Sequence, residues 1–145
     1  MDIEVVGGNK KLRSKIEEFT RWLGFELMGK RLANNIRVLV ELDKFKGSEE
    51  GYFGFADYED SNIRPRNFIV RINKTMTESQ IMETLAHEMV HVKQDAKCEK
   101  VQRDRGGYRL LWKGVDHTYT PYSKQPWERE AYRLEKKLVK KYTTQ

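Results

Sequence analysis

Cysteine is nearly absent: Cys98 stands alone, so no internal disulfide can form and packing has to hold the fold together. Three prolines and no Gly/Pro-rich stretch leave nothing to act as a linker, and 145 residues suffice for one domain with one modest core. No apolar run approaches the length of about eighteen residues that a membrane span requires. The opening Met1-Asp2-Ile3-Glu4 lacks the basic segment and apolar core of a secretory signal. These absences predict a cytoplasmic protein with no membrane contact. Histidine is scarce as well, with three in the whole chain, and where they fall carries most of the information below.

Charge, by contrast, is plentiful. Charged residues make up 34% of the chain and hydrophobic ones 38%, the balance of a polar globular protein. Lysine and arginine exceed aspartate and glutamate by 28 to 22, a net charge of +6, with dense stretches at residues 10–15, 64–71, 97–109 and 136–141. A basic surface attracts polyanions over long range, so weak nucleic-acid association is one expectation. No recognition-helix or RNA-binding signature accompanies it, and residues 135–140 read as the solvated outer face of a helix.

Periodicity predicts an α+β domain covering residues 1–145. After a short start, Asn9 caps a helix to about residue 28, with Leu12, Ile16, Phe19, Leu23 and Leu27 on one face and Gly29 as its stop. Three strand-like segments follow at residues 36–42, 51–58 and 68–73, separated by turn residues at 47–51 and 60–62, with Pro65 just outside the third. Their short connections favour a three-stranded antiparallel meander. Thr77-Glu78-Ser79-Gln80 is a capping-box pattern that opens a second helix to about Ala96. Residues 97–125 read as a hairpin or an irregular loop. Pro126 then opens a last helix with Trp127, Ala131, Leu134 and Leu138 as its buried stripe.

The second helix contains His87-Glu88-Met89-Val90-His91. Residues four apart on a helix lie one above the other, so the two imidazoles can reach one cation. Glu88 is turned by about 100° around the axis, beside the cation rather than on it, where it can take a proton from water. A catalytic zinc site needs a third protein ligand and keeps one position open. The candidates are His117, Glu128 and Glu130; Asp95 and Glu99 suit less well because they lie on or just beyond the same helix. Glu128 is favoured because Ala131, three residues on, would let the last helix approach closely. Glu130 would need that helix turned by about 160°.

His-Glu-Met-Val-His with Val92-Lys93-Gln94, followed by Pro126-Trp127-Glu128-Arg129-Glu130-Ala131, resembles small SprT-like and phage-encoded metallopeptidases. More distantly it is similar to the gluzincins, whose third ligand is a glutamate in a Glu-x-x-Ala setting. The resemblance covers residues 77–138. It implies a zincin-like domain in which His87, His91 and Glu128 hold one catalytic zinc ion, Glu88 is the general base, and the substrate is a protein or peptide. The SprT-like branch that cleaves DNA–protein crosslinks uses a histidine as third ligand, a role open here only to His117.

Amide hydrolysis also needs a donor for the oxyanion. Tyr108, His117, Tyr119 and Tyr122 lie between the two site helices, with His117 and Tyr119 the leading expectations. Gln94 and Asp95 are candidates to orient the imidazoles. Trp127 and Met89 read as core, Cys98 has no ligand spacing, and residues 68–73 are the expected edge for an extended substrate. Two other classes remain open. One is a DNA-associated hydrolase acting on nucleoprotein; the other is a non-catalytic zinc module, which would need four protein ligands and no base.

Overall fold

The computed structural model describes residues 1–45, 53–60 and 63–145. The turn expected at 47–51, and residues 61–62 of the one expected at 60–62, lie outside the described residues. The elements are β1 (Asp2–Val6), α1 (Lys10–Ala33), β2 (Arg37–Asp43), β3 (Gly54–Tyr58), β4 (Asn67–Asn73), α2 (Glu78–Ala96), β5 (Lys100–Arg103), β6 (Arg109–Trp112), β7 (Val115–Asp116), a 3-10 turn (Tyr122–Lys124) and α3 (Pro126–Thr143). Among the described residues no helix is long and apolar enough to cross a membrane.

The α+β reading holds, but the three-stranded antiparallel meander does not. The sheet has four strands in the order β1-β2-β4-β3, with β1 and β4 both parallel to β2 and only β3 antiparallel. The short start is itself a strand: Ile3 and Val5 pair with Val38 and Val40, and α1 makes the crossover from β1 to β2. The residues 68–73 segment is therefore interior rather than an edge. Phe68, Val70 and Ile72 are all buried, so β4 has the apolar surface to sit between two neighbours. Strand β3, with Gly54 and exposed Asp57, is left at the edge.

Helices α1, α2 and α3 share one core on one face of the sheet, built on Ile16, Phe19 and Leu23 from α1, Val38 and Val40 from β2, and Leu85 and Met89 from α2. Asn9 caps α1 by accepting the Leu12 amide at 2.8 Å. Gly29 breaks the helix as expected, at φ +78°, but one more turn follows to Ala33. A side chain at Gly29 would meet nothing within 4 Å, so conformation rather than crowding calls for glycine there. Thr77 and Gln80 form both bonds of the capping box, and Pro126 occupies the first turn of α3. Residues 97–125 resolve into an antiparallel sheet β5-β6-β7, whose Trp112 packs against Trp127.

Gly54 is the one sheet position where space decides the residue. A methyl group there would stand 2.6 Å from the Arg71 carbonyl oxygen and 2.9 Å from Thr84 Cγ2. Its absence lets the edge strand β3 settle against α2, on the cleft that His87 also lines.

Candidate metal centre

Helix α2 carries His87 and His91 toward α3, and α3 answers with Glu128. The Nε2 atoms of the two imidazoles lie 3.1 and 3.2 Å from the same oxygen, Glu128 Oε1. Ala131 is fully buried at the helix contact, where a larger side chain would hold the helices apart. The three ligand atoms fall within 4.8 Å of one another, and the group can hold a metal ion. Donors bound tetrahedrally at about 2.05 Å would sit about 3.3 Å apart, close to the 3.1 and 3.2 Å between each Nε2 and Glu128 Oε1.

The outer nitrogens are also committed. His87 Nδ1 donates to Glu135 Oε2 at 2.7 Å, and His91 Nδ1 donates to Gln94 Oε1 at 2.8 Å. Each ring is thus fixed with its Nε2 turned inward, the arrangement that metal-binding histidines use. Gln94 is fully buried, and its amide nitrogen donates to the Trp127 carbonyl at 2.9 Å and to Glu130 at 3.1 Å. One side chain therefore ties the His91 ring to the first turn of α3.

Electrostatics favour a cation at the centre. Burial pulls both imidazole pKa values down, but Glu128 and Glu88 outweigh it and leave both above the ordinary range. Burial acts upward on Glu128, yet its bonds to His87 and His91 hold it far below the usual carboxylate range. Positive charge between these groups is what they stabilise; without metal, protons supply it, and a metal ion must displace them.

Glu88 is 6% exposed and has no hydrogen-bond or ion-pair partner among the described residues. Burial raises its pKa, against the pull of His91 and His87. It opens instead onto a cleft of about 510 Å³ that begins at β3 and runs between α2 and α3 past His87. Tyr122 lines the same cleft; its hydroxyl donates to Glu128 Oε1 at 3.2 Å and meets Tyr132 Oη at 3.0 Å. Burial, then Tyr132 and Glu128, push the Tyr122 pKa far above the phenol range, so it stays a donor.

Other expected residues lie elsewhere. Glu130 pairs with Lys93 at 2.7 Å, Lys93 also holds Glu99 at 2.8 Å, and neither carboxylate joins the histidine group. His117 bonds Thr120 through Nδ1 and packs edge-on against Trp127. Tyr119 is 95% exposed. The structure brings neither to the cleft. Asp95 is half-buried with its pKa pushed up to about 6, chiefly by burial, and makes no bond to either imidazole. Cys98 is exposed, its thiol donating to the Ile63 carbonyl.

Glu135 was expected on the solvated outer face of α3; it is turned inward onto His87 instead. Glu128, Tyr132 and Glu135 are spaced i, i+4, i+7 and share one helix face. Comparison of the chain with protein-family models, with curated proteins and with solved structures finds no match.

Proposed function

We propose that this protein is a zinc-dependent peptidase. The observation that carries the reading is the pairing of a His87–His91–Glu128 donor set with Glu88, a buried carboxylate that has no hydrogen-bond or ion-pair partner among the described residues and faces the same cleft. A structural zinc site is closed by four protein ligands and has no use for such a group. The resemblance of residues 87–94 and 126–131 to SprT-like and gluzincin metallopeptidases supports the same reading.

Two imidazoles and one carboxylate suit zinc, which when bound supplies a Lewis acid that acidifies water and polarises a carbonyl. The chain's own residues do the rest. Glu88 takes the proton from the attacking water, and its raised pKa makes the resulting carboxylic acid a competent donor to the departing amine. Tyr122 donates to the developing oxyanion, the role expected of His117 or Tyr119. Glu135 and Gln94 hold the imidazole tautomers. The exposed edge of β3, rather than β4, offers main-chain hydrogen bonds to an extended substrate.

The test compares wild type with Glu88→Gln, both loaded with zinc, on an unfolded protein substrate. Loss of cleavage with zinc retained supports the proposal; equal cleavage by both proteins sinks it.

A nucleoprotein substrate is a second reading, favoured by the β5–β6 hairpin. Arg103 stands directly across from Arg109, with Arg105 in the turn between them. Like charges opposite each other cost stability, which an anionic partner would offset. Oligonucleotide binding that weakens steeply with salt would support it, and salt-independent binding would count against it.

A further inference from the structure

The cleft beside His87 is lined by acidic residues although the chain as a whole is basic. The chain is net +6, yet no lysine or arginine is among the described residues lining the cleft. Glu83 and Glu135 line it instead, in addition to Glu88. Glu83 lies on α2 one turn before His87, and Glu135 faces it from α3; the two carboxyl groups stand against each other. Glu83 has no ion pair among the described residues.

A dication held by two neutral imidazoles and Glu128 is balanced once Glu88 is counted. Glu135 is already bonded to His87 Nδ1, so Glu83 is the carboxylate in excess; two neighbouring carboxyl groups repel unless they share a proton or a cation, and a cationic guest can take that place. The rim of the cleft is aromatic: Phe53 on the β3 side and Tyr132 on α3 are both more than half exposed. Aromatic faces attract cations, and a guanidinium both stacks on them and bonds a carboxylate through two parallel N–H groups. Carboxylates, aromatic faces and the lack of a basic residue among the described lining thus indicate one kind of guest.

We infer that Glu83, with Glu135, Phe53 and Tyr132, forms a specificity pocket for a basic side chain of the substrate, arginine above lysine. This rests on the peptidase reading, and it narrows the substrate to peptides with an arginine next to the cleaved bond. The overall positive charge works against such a preference, so only the local pocket can produce it.

Two blocked peptides, identical except for one arginine or one norleucine, test the inference. With zinc-loaded wild type the arginine peptide should have a kcat/KM about ten- to a hundredfold higher. In Glu83→Gln that ratio should collapse toward one. A wild-type ratio near one, or an unchanged ratio in the variant, overturns the pocket. If neither peptide is cleaved, the peptidase reading fails, and binding of the same two peptides to zinc-loaded Glu88→Gln decides the pocket separately. Tighter binding of the arginine peptide supports it, and equal binding overturns it.

Discussion

Replacing Asp95 with asparagine should make the metal-free protein more stable, by an amount that grows with pH. The Asp95 carboxyl is half-buried near the end of α2, and burial pushes its pKa up from 3.8 to about 6. A folded-state pKa above the unfolded value means that the native state favours the protonated form. The stability associated with that proton is complete below about 3.8 and is lost as pH rises through about 6. Integrating between the two values, ionisation costs the native state about 1 kcal/mol at pH 4.5 and about 3 kcal/mol at pH 7.5. Asparagine keeps the shape and never ionises. Urea unfolding with a chelator present should show Asp95→Asn ahead of wild type by about 1 kcal/mol at pH 4.5 and about 3 at pH 7.5, with an unchanged m value. A gain that does not grow with pH would refute the burial argument, and a loss at pH 7.5 would show the carboxylate to be a favourable partner.

Other consequences follow from the same geometry. Glu135→Leu and Gln94→Leu should each weaken metal binding about 10- to 100-fold, read by competition with a chromophoric chelator, because each frees one imidazole to turn. On the proposed peptidase reading, Tyr122→Phe should lower kcat about 10²- to 10³-fold with little change in KM, since its hydroxyl would serve the oxyanion and not the ground state. Gly54→Ala should cost about 1–3 kcal/mol in thermal unfolding, as the added methyl meets the Arg71 carbonyl and Thr84.

What could be read from the sequence was local. The capping box at Thr77 and the four-residue spacing of His87 and His91 are properties of one helix, and both are present as expected. Glu128 was within reach because Ala131 signals close helix packing, a local sign of a distant contact. Strand order had no such sign: β2, β3 and β4 have the same alternation in a meander as in the observed order, and only relative burial moves β4 inside. Tyr122 could not be separated from Tyr119 by type or spacing. The 3-10 turn before Pro126 presents one to Glu128 and leaves the other in solvent. Residues 136 and 137, both lysines, give this stretch of α3 a solvated character, while the helical position of Glu135 itself faces His87.

On the proposed reading His87, His91 and Glu128 together hold one metal ion. The most direct measurement is the zinc content, by mass spectrometry after dialysis, of wild type, Glu128→Ala and Glu130→Ala. The account predicts one ion per chain in wild type and in Glu130→Ala, whose lost carboxylate only pairs with Lys93 and Gln94, and loss of tight binding in Glu128→Ala. Zinc retained in Glu128→Ala, or none in wild type, would contradict it.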